Sequence, residues 1–152
     1  MSENETTSNS PDETFEIGAR LGTELRAGDV VLLTGGLGAG KTLLTKGILS
    51  ALDYDVDEVT SPSFTLVNLY KTERFNVYHI DLWRTDGGDP AFAVGLDEIV
   101  GDEHAIVIIE WAENLRNFHF TSRVYRIDLA GDGDEPRRIK VKLTEQAPAA
   151  NV

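Results

Sequence analysis

The run Gly35-Gly36-Leu37-Gly38-Ala39-Gly40-Lys41-Thr42 has the spacing G-x-x-x-x-G-K-[ST], and its flanks restrict the folds that can hold it. The apolar stretch Val30-Val31-Leu32-Leu33 runs directly into the glycines. Leu44, Ile48 and Leu52, four apart, run directly out of them. Strand, glycine loop and helix in that order predict an α/β domain with the loop at the C-terminal end of a strand. Glycines let successive backbone N–H groups turn inward as an anion-binding nest, and the following helix points its N-terminal partial positive charge at the same place. This is the pattern of a P-loop, which wraps nucleotide phosphates. Gly35, Leu37, Gly38, Ala39, Gly40, Lys41, Thr42 and Leu43 are expected to line that nucleotide site. Lys41 brings a mobile charge for the β- and γ-phosphates, and the Thr42 hydroxyl is placed to bind Mg²⁺.

The 152-residue chain suits one domain with one core. Residues 1–11 read as a tail, and the first nine, rich in Ser, Thr, Asn and Glu, read as disordered. Ser10-Pro11-Asp12-Glu13 reads as a helix start, with a possible N-cap, a first-turn proline and Glu three residues on. Ile17, Leu21 and Leu25 continue it as an apolar stripe, which Ala27-Gly28-Asp29 ends. Residues 53–58 read as an acidic loop. Residues 64–70 and 75–82 read as strands whose short link forces antiparallel pairing. Residues 85–89 read as a loop and 90–100 as weakly helical. Ala105-Ile106-Val107-Ile108-Ile109 reads as a strand buried on both faces. Residues 124–129 and 138–143 flank Gly131-Asp132-Gly133-Asp134 and predict a hairpin. The expected domain is 12–144, an α/β P-loop NTPase-like three-layer fold with a mixed parallel and antiparallel sheet, followed by a tail at 145–152.

Net charge is −12, from 26 acidic and 14 basic residues, only five of the latter being lysine. A broad nucleic-acid-binding face needs clustered Lys and Arg, so contact with RNA is expected only through a partner. Such an acidic surface would also suit a saline cytoplasm. Absence of cysteine excludes a disulfide framework and a thiolate metal site, and is compatible with the cytoplasmic location expected of the protein. No apolar run approaches the ~20 residues that span a bilayer, so no membrane role is expected. The polar, acidic N-terminal segment does not read as a signal peptide.

Mg²⁺ takes oxygen ligands, and a P-loop site needs a carboxylate near Thr42, normally at the end of a neighbouring strand. Glu110 ends the apolar run 105–109, and Asp81 comes late in the strand through Val77-Tyr78-His79-Ile80. The alternative for Glu110 is a solvated acid at a strand terminus, and for Asp81 a turn- or helix-capping acid. Thr60-Ser61-Pro62-Ser63-Phe64-Thr65 lies where P-loop proteins often carry a hydroxyl for the γ-phosphate or metal, and Thr65 is the candidate; the composition is also that of an ordinary loop. Trp111 could stack on a base or partner, or be half-buried beside the sheet edge. His79 has no second histidine or cysteine at ligand spacing and reads as structural.

With these residues in place, the chain resembles the TsaE (YjeE) family, small ATPases of bacterial tRNA threonylcarbamoyladenosine (t6A) biosynthesis. The resemblance runs over about residues 12–143. It rests on Gly35 to Thr42, Ser61-Pro62-Ser63-Phe64-Thr65-Leu66-Val67, His79-Ile80-Asp81-Leu82-Trp83-Arg84, Gly95-Leu96-Asp97-Glu98 and Ile109-Glu110-Trp111. It implies that Thr42, Asp81 and Glu110 make one Mg-ATP site, with Asp81 on the metal side and Glu110 near the γ-phosphate. Lys41, Asp81 and Glu110 become the expected catalytic residues. It further implies a switch-like loop at 61–65, Trp111 near the nucleotide, and ATP-dependent docking on TsaD and TsaB, the pair that loads threonylcarbamoyl onto adenosine beside the anticodon. A weak intrinsic ATPase would follow, because a site completed by a partner is poorly organised alone. The chain departs from the family pattern at Gly36, where an acid is frequent, and at Trp83, where Tyr is commoner.

Other functions use the same loop. A small-molecule kinase would need an arginine-bearing lid, for which Arg84 alone is available. A GTPase would need Asn-Lys-x-Asp, and no Asn here precedes Lys. A nucleotide-gated binding module without useful hydrolysis stays open beside the ATPase.

Overall fold

A computed structural model describes residues 2–36, 38–59, 67–83, 95–115 and 118–145. Within them the strands are β1 (Ser2–Ser8), β2 (Val30–Thr34), β3 (Val67–Lys71), β4 (Asn76–Asp81), β5 (Ala105–Glu110), β6 (Val124–Ala130) and β7 (Arg137–Thr144). The helices are α1 (Pro11–Glu24), α2 (Lys41–Ala51) and α3 (Leu96–Val100), with 3₁₀ turns at Val56–Glu58 and Ala112–Asn114. One seven-stranded sheet runs β1-β7-β6-β2-β5-β4-β3. Its centre, β6-β2-β5-β4, is parallel, and β3, β7 and β1 join antiparallel at the two sides.

Hydrophobic content explains which strands lie at the centre. All six residues of β5 are buried. Ile106 and Ile108 pack with Val31, Leu33 and Val77 towards α1 and α2. Val107 and Ile109 pack with Val30, Leu32 and Ile80 on the other face, which Leu96 of α3 covers. Each fully buried Ile or Leu contributes about 1.5–3 kcal/mol. The alternation also sorts the polar residues: His79 and Asp81 share the Val77 face of β4, and Glu110 shares the Ile108 face of β5.

The helix expected from Ser10 forms as read. The Ser10 hydroxyl accepts the N–H of Glu13 at 3.1 Å, and Glu13 accepts the N–H of Asn9 at 2.6 Å. α1 and α2 approach closely because glycines face each other's backbones. A Cβ on Gly47 would lie 2.1 Å from the Phe15 carbonyl oxygen, and one on Gly18 would lie 2.2 Å from that of Leu44. The P-loop helix is thereby seated against α1, which fixes the loop ahead of it.

The N-terminal segment is a correction. Residues 2–8 were expected to be disordered, yet β1 pairs along its whole length with β7. Low hydrophobicity concealed it. The register sets Glu3 opposite Lys142 and Glu5 opposite Lys140, and opposite charges across a ladder stabilise it without an apolar face. The β3–β4 pair is antiparallel and β6–β7 is the expected hairpin. The 53–58 stretch contains a 3₁₀ turn rather than loop alone. α3 takes the C-terminal part of the helical stretch expected over 90–100; residues 90–94, the 85–89 loop, residues 64–66 of the expected strand and the tail from 146 lie outside the described residues. No helix among the described residues is long and apolar enough to cross a membrane.

Candidate functional site

β2 ends at Thr34 and the glycine loop leaves the sheet there. The Ala39 N–H bonds the Gly36 carbonyl at 3.2 Å, which tightens the loop into a turn. Gly40 caps α2 with φ 105°, a left-handed conformation that a side chain would strain. Lys41 and Thr42 follow in the first turn of α2, where helix N–H groups have no intrahelical acceptor. Leu37 lies outside the described residues, as does Thr65.

Lys41 is buried, at 6% exposure. Its ammonium donates to the Gly35 carbonyl and, at 3.1 Å, to that of Gly36. It also stands 3.7 Å from the centre of the Trp111 ring, a cation–π contact. Burial lowers its pKa from the ordinary value, while the charges of Glu110, Glu113 and Asp81 oppose that shift. Among the described residues, two carbonyls and a ring receive the charge of the loop lysine, with acids nearby.

Parallel pairing brings the two expected acids together. Asp81 and Glu110 are direct partners across β4 and β5, and Glu110 is also the partner of Leu33 in β2. Both carboxylates are therefore at the C-terminal sheet edge beside the start of the P-loop, and both are buried. Asp81 accepts the Trp83 N–H at 2.8 Å, which bends the chain after β4. Glu110 is hydrogen-bonded to the imidazole Nε2 of His79, which is fully buried. Trp111 follows in a left-handed backbone conformation, φ 58°, uncommon for a residue with a side chain. It turns the chain into 112–114 and packs against Trp83, with ring centres 4.3 Å apart and the planes tilted by 42°.

Two neighbours were not singled out as site residues from sequence. Glu113 reaches the P-loop, its carboxylate 3.4 Å from the Gly35 N–H. His79 was read as structural but is bonded to Glu110. Strand register, rather than any local motif, makes that contact, across 31 positions of sequence.

On the other flank of the P-loop lies a cleft of about 350 Å³ between Ser8, Asn9 and Pro11, the loop residues Gly38 to Gly40 with Leu43, and the β6–β7 turn. Arg137 holds that turn to the loop, donating to the Gly38 carbonyl at 3.1 Å and the Gly133 carbonyl at 3.0 Å. β1, missed from sequence, supplies a wall of this cleft through Ser8, which hydrogen-bonds the hydroxyl of Thr14 at 2.7 Å.

Among the described residues no group of three or more His, Asp or Glu is arranged to hold a metal by itself. A magnesium site needs none: one hydroxyl, one or two carboxylates, water and phosphate oxygens satisfy it. Thr42 beside the loop, with Asp81 and Glu110 at the adjoining strand ends, is a donor set of that type.

A glycine loop between a central parallel strand and its helix, with acids ending the adjacent strands, defines a P-loop protein of the α/β class. The family model described as threonylcarbamoyl adenosine biosynthesis protein TsaE matches residues 8–139. The chain belongs to the TsaE family, a family of tRNA t6A biosynthesis. It is 39% identical over 127 residues to the tRNA threonylcarbamoyladenosine biosynthesis protein TsaE of Mycobacterium tuberculosis, covering 76% of this chain and 75% of that one. To the TsaE of Rickettsia prowazekii it is 33% identical over 111 residues, covering 73% and 76%. The crystal structure of YdiB from Bacillus subtilis superposes with a TM-score of 0.68 at 28% identity, covering 92% of this chain and 84% of that one.

Proposed function

We propose that the protein is a magnesium-dependent ATPase that assists a TsaD–TsaB threonylcarbamoyl transferase in forming t6A on tRNA. The reading is carried by the convergence of Lys41, Asp81 and Glu110 on one sheet edge, with a nucleoside-sized cleft on the opposite flank of the same loop. In it the cleft takes the nucleoside and the loop N–H groups hold the phosphates. Lys41 leaves the Gly35 and Gly36 carbonyls to meet phosphate oxygens. Magnesium, when bound, would supply charge neutralisation for the phosphates. Thr42 and Asp81 are the residues to hold it, and Glu110 orients the attacking water or accepts its proton. With a net charge of −12 the protein acts on tRNA through its partners rather than by a nucleic-acid face of its own.

The test is ATP turnover by the protein alone and with the purified TsaD–TsaB pair from the same organism. Stimulation by the pair is expected. Lys41→Ala should remove nucleotide binding while the domain stays folded. Glu110→Gln should keep ATP affinity and lose turnover by on the order of 100-fold or more. Turnover indifferent to the pair would refute the assigned role, and Lys41→Ala with unchanged ATP affinity would refute the P-loop assignment. Tight ATP binding with negligible turnover in both wild type and Glu110→Gln would favour a binding module, and equal, appreciable turnover would remove Glu110 from the chemistry.

A further inference from the structure

Behind Glu110 a line of polar side chains crosses the sheet from its edge towards the site. Asn68 and Tyr70 stand two apart on β3, and Asn68 pairs with His79 of β4. The Asn68 amide donates to the Tyr70 hydroxyl at 3.2 Å. That hydroxyl lies 3.3 Å from Nδ1 of His79, and Nε2 of His79 bonds the carboxylate of Glu110. His79 has no exposed surface; Val77 on the same face and Ile108, the cross-strand partner of His79, are equally buried. Three polar groups in an apolar face cost free energy unless each is satisfied, so their alignment needs a reason beyond packing.

The direction of the bonds supplies it. An ionised carboxylate only accepts, so Glu110 takes its hydrogen bond from Nε2–H of His79. With that hydrogen on Nε2, Nδ1 of a neutral ring is the acceptor for the Tyr70 hydroxyl. One carboxylate oxygen, Oε2, is tied to the core, and Oε1 is left for the site. Resting on the ATPase reading above, we propose that Tyr70 and His79 form a buried relay that fixes the Glu110 carboxylate for hydrolysis, with His79 as a positioning residue. It touches neither nucleotide nor water; it removes the rotational freedom of the group that does.

Two measurements on the full-length protein test this. The first is partner-stimulated ATP turnover for wild type, His79→Leu, His79→Gln and Tyr70→Phe. Gln presents an N–H near the place of Nε2 and should restore what Leu loses. The expected result is a kcat reduced roughly 10–100-fold in His79→Leu with KM for ATP unchanged, and largely recovered in His79→Gln. If His79→Leu does not fold, His79→Gln against Tyr70→Phe carries the comparison. The second is a long-range ¹H–¹⁵N spectrum of histidine-labelled protein, with His79 assigned by its loss in His79→Gln. The hydrogen should reside on Nε2 and should redistribute between the ring nitrogens in Tyr70→Phe. Wild-type turnover in folded His79→Leu, or a hydrogen on Nδ1 in the wild type, overturns the relay. Wild-type protein that binds ATP without hydrolysing it overturns the ATPase reading instead, and the spectrum still decides whether the relay holds Glu110.

Discussion

At the scale of single residues, the site is organised around one lysine whose charge is costly where it lies. Burial lowers the Lys41 pKa from 10.5, and Glu110 is the largest of the charges that resist the shift. In Glu110→Gln the pKa should therefore fall further, which a ¹⁵Nζ titration would read directly; an unchanged or raised value would contradict this account. The linkage has a definite sign. Below the lowered pKa the full cost of burying the ammonium is present, and it is relieved as pH rises from there towards 10.5, because the unfolded chain holds the proton longer. Lys41, Asp81 and Glu110 were legible in the sequence, since each is marked by its own neighbours: a glycine run, or an apolar strand ending in an acid. The bond from His79 to Glu110 was not, because it exists only once β4 and β5 are aligned in register. Glu113 at the Gly35 N–H depends on the left-handed turn at Trp111, which no residue type announces.

At the scale of elements, the α1–α2 contact and the added edge strand decide how firmly the loop is held. Gly47→Ala puts a methyl group 2.1 Å from the Phe15 carbonyl oxygen, a clash with backbone that cannot rotate away. It should destabilise the fold by about 1–3 kcal/mol, seen as a lower midpoint in denaturant. A midpoint equal to wild type would mean that the helices separate without cost. Deleting residues 2–8 should leave the α/β core folded but weaken ATP binding, since Ser8 walls the cleft and is tied to Thr14. Calorimetric titration measures this, and unaltered affinity would place the nucleoside elsewhere. The central strands were readable because burial on both faces forces a continuous apolar run. β1 was unreadable for the complementary reason: it is held by a main-chain ladder with β7, a partner more than a hundred residues away.

At the scale of the whole molecule, net charge −12 on 152 residues makes self-repulsion a standing cost of folding. Raising NaCl from about 0.05 to about 1 M should raise the melting temperature as the repulsion is screened; a falling or flat Tm would show that the acids are already compensated. The largely buried pair of Arg123 and Asp29, 2.7 Å apart, ties the residue before β6 to the turn before β2, at the opposite end of the sheet from the site. Being largely out of solvent, it should contribute about equally at both salt concentrations. The tryptophan content has a practical consequence. The chain has two tryptophans, and they are the packed pair beside the P-loop lysine. All indole emission from this protein thus originates at one spot, and an ammonium hovering over one of the rings perturbs it. When Lys41 departs for a phosphate, the intrinsic fluorescence and the exciton band of the coupled rings should both change. On the proposed reading, the two rings would give an optical gauge of nucleotide occupancy free of any label.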